Sequence, residues 1–342
     1  MRVLITGAAG FIGAHLSARL RTAGHTVLGI DVVEPSVPAP LHRLRLELAG
    51  FTGEDYLRTD ILDVDALRTA WRRFQPEAVV HLAALPGVRD SMRLPDRYRD
   101  VNGRGTLNVL ACCEDFSVAK LVFASSSSVY GAAGVEAPAR ETDAPGTLRS
   151  VYAETKWQAE LAVRASRLSA RAVVLRLFSV YGSHGRPDMM PWRFAEKVLR
   201  NEPVELHEGT RRDFTHVRDA VSAIEAALSK AAGCGPAVYN VASGRPVETA
   251  EFLHLLASNL GRPAQVRRVP TPPELPASTW GDIQAIRRDL GWVPAVSLHA
   301  GISEVARFHL REVSPFCVPG RSWTAAADTS AIQAAVISTK SK

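Results

Sequence analysis

Arg2-Val3-Leu4-Ile5-Thr6-Gly7-Ala8-Ala9-Gly10-Phe11-Ile12-Gly13 reads as a strand, a glycine-rich turn and the opening of a helix. The apolar run up to Thr6 suits a buried strand, and the glycines at 7, 10 and 13 break it. Glycines so placed let backbone N–H groups approach a pyrophosphate at the positive end of a helix. Ile12, His15, Leu16, Arg19 and Leu20 keep helical spacing until Gly24, where the helix should close. A second strand is expected over 26–31, and its last residue, Asp31, lies 18 positions past Gly13. A carboxylate there can hold the 2′-hydroxyl of an adenosine ribose. It would repel a 2′-phosphate, so the pattern favours NAD over NADP.

The alternation continues outward. Further strands are expected over 78–83, 121–125 and 172–177, and helices over 102–113 and 152–168. Asp60-Ile61 follows a short strand and should border the adenine. His81-Leu82-Ala83-Ala84 ends another strand with side chains small enough for a dinucleotide to lie close. Beyond Gly182, Pro and Gly become frequent and the helices should be short. The class is therefore α/β: a Rossmann-type doubly wound parallel sheet with a smaller mixed α/β C-terminal lobe for the substrate. Residues 1–181 form the dinucleotide domain, to which some later segments return. Residues 182–312 form the substrate lobe and 313–342 a Ser/Thr/Ala-rich tail.

The 342 residues allow about two domains at ~150 residues each. With 46% hydrophobic and 22% charged residues, the composition is that of a globular chain. The N-terminus lacks a signal-peptide pattern, and no apolar run nears the ~20 residues that span a bilayer. Cys112, Cys113, Cys234 and Cys317 have neither metal-ligand spacing nor a disulfide framework, which fits a reduced, cytoplasmic setting without a metal. The net charge of +6 is spread in pairs such as Arg72-Arg73 and Arg211-Arg212, not gathered as nucleic-acid binding requires. An anionic small molecule would profit from it. Lysine is scarce, with six in the chain.

Tyr152-Ala153-Glu154-Thr155-Lys156 places a phenol and an ammonium at i and i+4, on one face of a helix. A free tyrosine has a pKa of ~10, and bringing it ~3 units lower needs ~4 kcal/mol. Lys156 and a cationic nicotinamide ring can supply that together. Ser125-Ser126-Ser127-Ser128-Val129-Tyr130-Gly131 ends a strand on the edge where open α/β sheets bind ligands. Serine hydroxyls there can orient an alcohol and polarise its ketone.

In this order, the three elements resemble the extended short-chain dehydrogenase/reductase (NAD-dependent epimerase/dehydratase) family over about residues 1–312. The resemblance implies bound NAD at Gly7, Gly10 and Gly13, catalytic Tyr152 and Lys156, and an assisting hydroxyl at Ser126. Phe11, Ile12, Asp31, Asp60, Ile61, Leu82, Ala83, Ala84, Asn102 and Phe178 complete the expected cofactor contacts. Dehydratases of the family carry Asp-Glu where this chain has Ser127 and Ser128, and decarboxylases carry a Glu in this segment. His81 to Ser91, Arg176 to Gly182, Gly185 to Met189 and Arg212 to Thr215 are similar to UDP-glucuronate 4-epimerases. Two departures are Ser179 in place of Thr, and Pro273-Glu274-Leu275-Pro276 in place of Gly-Asp-Val-Pro.

The implied reaction converts UDP-glucuronate to UDP-galacturonate through a 4-keto sugar. Arg89, Ser126, Ser127, Ser128, Tyr152, Ser179, Arg186 and Arg212 are the expected substrate contacts. Within this set Arg212 serves the diphosphate and Arg186 the carboxylate. A neutral UDP-sugar 4-epimerase, a UDP-glucuronate decarboxylase and a non-catalytic NAD-binding protein remain as alternatives. The resemblance also implies a homodimer joined through helices near 102–116 and 152–168, with no nucleic-acid or membrane partner.

Overall fold

In the computed structural model, which describes residues 1–33, 37–131, 137–231, 233, 236–272 and 275–314, the glycine turn lies near the centre of a seven-stranded parallel sheet. Its first six strands are β1 (Arg2–Thr6), β2 (Thr26–Asp31), β3 (Tyr56–Arg58), β4 (Ala78–His81), β5 (Lys120–Ser126) and β6 (Ala172–Leu177). The chain then forms β7 (Ser179–Tyr181), β8 (Val204–His207), β9 (Arg211–His216), β10 (Ala237–Val241), β11 (Pro246–Glu248) and β12 (Val266–Val269). The large sheet runs β10-β6-β5-β4-β1-β2-β3. Chain order reverses between β1 and β4, so the ligand crevice belongs at the C-terminal ends of those two strands.

Successive side chains of β1 point to opposite faces, and both faces are covered. Val3 and Ile5 pack with Leu16 and Leu20 of helix Phe11–Thr22 and with Val221 and Ile224 of helix Val217–Leu228. Leu4 packs on the other side with Trp71, Val109, Cys113 and Val163, from three helices. Burial on both faces explains why the strand reads as a continuous apolar run and not as an alternating one. Each fully buried Val or Leu contributes about 1.5–3 kcal/mol.

Of the five strands read from sequence, β1, β2 and β6 have the expected bounds and β5 gains a residue at each end. The strand expected over 78–83 stops at His81, because the backbone of Leu82 and Ala83 turns to lie against Gly7. The helix expected over 102–113 is α-helical over Gly105–Asp115, after a wider π turn at Arg99–Arg104. The one expected over 152–168 runs Val151–Ala165. Past Gly182 the helix Gln284–Leu290 is short, with 7 residues, but Met190–Leu199, Val217–Leu228, Thr249–Leu260 and Leu298–Phe308 have 10 to 12.

A smaller lobe is built on β11-β9-β7 and β12-β8. Its core gathers Tyr181, Phe194, Phe214, Phe252, Ile302 and Val305. Helix Val217–Leu228, β10, Ile286 and Trp292 return to the core of the large sheet, so the chain passes repeatedly between lobes. Buried Asp213 on β9 ties those passages together. It accepts hydrogen bonds from the backbone N–H groups of Ser243, Gly244 and Gly281 and from the Ser243 hydroxyl. The tail past residue 314, Pro273-Glu274, Cys234 and Cys317 lie outside the described residues.

Candidate active site

The turn after β1 is shaped for close approach. A Cβ on Gly7 (φ +74°) would lie 2.7 Å from the Ala83 nitrogen, and one on Gly13 would lie 2.0 Å from the Gly7 oxygen. The turn is therefore pressed between the end of β4 and the first turn of its own helix. Asp31 closes the groove's far side, accepting from Ala9 N and Val32 N at 2.8 Å each. Burial pushes its carboxyl up to about 6, against the opposing effect of those N–H groups and the Arg45 charge. This cradle of glycines, free helix N–H groups and one carboxylate fits a dinucleotide with an unphosphorylated ribose.

The other expected cofactor contacts divide. Leu82, Ala83 and Ala84 line the crevice edge beside Gly7, and Phe11 and Ile12 open the helix. Asp60 accepts from Leu62 N, and Ile61 is buried beneath Gly105. Asn102 is buried and fully engaged: its amide bonds both backbone groups of Leu85 and the Thr155 hydroxyl. It positions the crevice edge against the helix bearing Tyr152. Phe178 lines the neighbouring cleft.

That helix begins at Ser150, whose hydroxyl accepts from Ala153 N at 3.1 Å. One turn presents Tyr152 and the next Lys156. Ser126 ends β5 beside the phenol, and its hydroxyl accepts from Ser128 N at 3.1 Å and Ser128 Oγ at 2.9 Å. A hydroxyl has two lone pairs and one proton, so the Ser126 proton is left to point forward. Burial raises the Tyr152 pKa, and the Ser126 hydrogen bond and the Arg186 charge oppose the rise. Lys156 is buried, donates to Ala124 O at 2.7 Å and sits over the Phe123 ring, and burial pushes its pKa down to about 8. Arg186 is thus one cation that favours the phenolate.

All eight expected substrate contacts line one cleft of about 820 Å³ between the lobes. Their states differ. Arg89 reaches across the cleft to His207, with Nη2 3.1 Å from Nε2. Arg212 donates to the carbonyls of Arg211 and Ala277, and burial lowers its pKa without discharging a guanidinium. The Arg186 guanidinium faces Asp188, with Nε 3.0 Å from Oδ1 and a second contact from Nη2 to Oδ2. The fork read from sequence as a carboxylate clamp already holds a carboxylate of its own loop.

Sequence reasoning missed a basic stripe at the cleft: Arg193, Lys197 and Arg200, three or four residues apart across helix Met190–Leu199 and its C-cap. That spacing was a readable signal. It also missed buried Arg45, which donates to the carbonyls of His184 and Gly185 and pins the loop carrying Arg186. No local pattern announces a contact across 139 residues.

Residues 3–242 match the model of the NAD dependent epimerase/dehydratase family. The chain is 34% identical over 311 residues to a UDP-glucuronate 4-epimerase of Thermodesulfobacterium geofontis, covering 89% of this chain and 95% of that one. Among solved structures it is similar to the UDP-glucuronic acid 4-epimerase of Bacillus cereus in complex with UDP-glucuronic acid and NAD. That pair has a TM-score of 0.83 and 30% identity, covering 90% of this chain and 98% of the other. It is also similar to a UDP-glucose 4-epimerase of Thermotoga maritima with UDP-glucose, at TM-score 0.81 and 27% identity, with 91% and 99% coverage.

Proposed function

The chain belongs to the NAD-dependent epimerase/dehydratase family, and from that premise we propose that it inverts C4 of a UDP-sugar, converting UDP-glucuronate to UDP-galacturonate. The observation that carries this reading is the meeting of Tyr152 and Ser126 at the floor of a cleft lined by Arg89, Arg186, Arg193 and Arg212, beside the dinucleotide cradle. Such a cleft suits a diphosphate joined to an acidic sugar. It also accounts for the basic balance of the chain without a nucleic-acid partner.

Tyr152 as phenolate takes the proton of the C4 hydroxyl, and Ser126 donates its hydrogen bond to the same oxygen. NAD, when bound in the cradle, supplies the two-electron acceptor that makes C4 a ketone and is restored at the end, so there is no net oxidation. Lys156 lies four residues from Tyr152 on the same helix and supplies positive charge behind the reacting groups. The cleft lets the keto sugar turn about its diphosphate bond, and Tyr152 returns the proton after the other face is presented.

Once C4 is a ketone, the C5 carboxylate belongs to a β-keto acid and is lost readily when the breaking bond overlaps the carbonyl π system. Ser127 and Ser179, both half-buried at the cleft, and Arg186 are placed to hold it out of that overlap. The Arg186–Asp188 pair supports a second reading, a neutral UDP-sugar at the same site. Proton NMR of UDP-glucuronate incubated with the enzyme and no added NAD tests both. Signals of UDP-galacturonate are expected. No conversion, with UDP-glucose turned over instead, would establish the second reading.

We further infer a homodimer. Met92, Leu94, Leu107 and Leu161 are exposed apolar side chains on the helices near 88–115 and on Val151–Ala165. A cytoplasmic setting keeps the buried thiols Cys112 and Cys113 reduced. Among the described residues, no helix is long and apolar enough to cross a membrane.

A further inference from the structure

We propose that Glu160 is a positioning residue for this reaction: its buried carboxylate, four residues along the helix from Lys156, favours the charge of that ammonium and, paired with Arg176, fixes the helix that carries Tyr152. The inference rests on the roles given above to Tyr152 and Lys156. Tyr152, Lys156 and Glu160 recur every four residues on helix Val151–Ala165, forming one stripe toward β5 and β6. Glu160 is completely buried. Its carboxylate accepts from Ser125 Oγ at 2.7 Å, Arg176 Nη2 at 2.7 Å and Arg176 Nε at 3.2 Å. Arg176, equally enclosed, donates to the Tyr130 hydroxyl at 2.9 Å, which donates in turn to Asn240 Oδ1 at 2.6 Å. The pair thus joins the helix to β5, β6 and β10 behind the site, one residue from Ser126.

The charges in this region are few. Lys156 and Arg176 are cations and Glu160 is an anion paired with Arg176, while the Glu141 carboxyl, whose pKa burial raises, also feels the Arg176 charge. Burial holds His81, facing Lys156 from β4, neutral with its pKa near 3. Asn102 and Thr106 approach uncharged from the packed helices, and the turn Ser127–Tyr130 carries no charge. The charged residues between 88 and 104 are exposed. At the far end Glu114 accepts from the Arg167 backbone N–H and Asp115 pairs with Arg68, and Arg171 also lies there. Arg164 approaches Glu160 from the solvent side at 3.9 Å.

A buried ion pair by itself is weak evidence for stability, because apolar residues of similar volume often serve as well. The Lys156 ammonium has only a carbonyl and a ring face as direct neighbours, and desolvation disfavours its charge. The carboxylate one turn away opposes that, and the charge it maintains lies one helical turn from the phenol that must ionise.

The test uses holoenzyme carrying 13C at the lysine ε-carbons. With six lysines in the chain, the Lys156 signal is assigned by its loss in Lys156→Met. Glu160→Gln should lower the Lys156 titration midpoint by about one pH unit or more. The alkaline limb of kcat/KM should move down with it, and the KM for the UDP-sugar should stay. Because Glu160→Gln leaves Arg176 buried and unpaired, the double variant Glu160→Gln/Arg176→Met, which removes both members of that pair, should melt closer to the parent protein and still show a lowered midpoint. A midpoint unchanged in the double variant overturns the proposal. A shifted midpoint with an unmoved kcat/KM limb leaves Glu160 the support of the Lys156 charge, removes Lys156 from the chemistry and so overturns the positioning role.

Discussion

Both lone pairs of the Ser126 hydroxyl accept from Ser128, so its single proton serves the Tyr152 phenol here and, in the proposed mechanism, the C4 oxygen at which Tyr152 acts. Two donors on one oxygen share the work unequally, because only the phenol can take the proton away. Tyr152→Phe should therefore fold and keep its dinucleotide but lose at least ~100-fold in kcat. Turnover near the parent value would end the mechanism. Asp31 gives a pH dependence of definite sign. Burial raises its pKa from the ordinary 3.8 to about 6, so the neutral carboxyl's contribution to stability is complete below about 4 and lost as pH rises through about 6. Holding a ribose hydroxyl asks for the opposite state, the carboxylate. Gel filtration at pH 5 should strip more dinucleotide than at pH 7.5, and Asp31→Asn should flatten the difference. Equal retention at both pH values in the parent protein would separate Asp31 from the cofactor.

The glycine turn is the element where sequence and structure agree most fully, because its function depends on neighbours within a few residues. A Cβ at Gly13 would meet the Gly7 oxygen and the Ala8 Cα, both backbone, and neither can move aside. Gly13→Ala should cost about 1–3 kcal/mol and empty the cradle of dinucleotide. Gly103→Ala, with nothing within 4 Å, should leave melting and cofactor content intact. Co-purification of the dinucleotide with Gly13→Ala would show that the turn opens without consequence. The strands and the Tyr152–Lys156 helix were legible for the same reason: periodicity and capping are local. The end of β4 was not, because His81 stops the ladder to bring Ala83 to a turn 76 residues earlier in the chain. Asn102, expected as a cofactor contact, also braces Leu85 against Thr155, a pairing that no local pattern announces. Arg186 looked like an open clamp and has Asp188 in its fork, although both stood in the quoted segment; only the loop's curvature decides that pairing.

Exposed Leu107 and Leu161 lie on neighbouring helices of the large domain, and contact between two copies would cover them. Light scattering should give twice the 37.0 kDa chain mass, and Leu107→Glu with Leu161→Glu should give the single mass. A parent protein that scatters as one chain at micromolar concentration would rule out the dimer. The repeated passage of the chain between lobes, with Asp213 knotting three of the passages, has a mechanical consequence. Jaws that swing need a hinge of one or two strands, and here several crossings are joined, three of them at Asp213. Small-angle scattering should therefore give the same radius of gyration with and without UDP, and a contraction on adding it would reveal a hinge. With the frame rigid, entry and exit fall to the side chains and loops at the mouth, Arg89 and His207 among them. A reactive ketone turning over inside is then kept from escaping by those groups at the mouth and not by closure of the lobes.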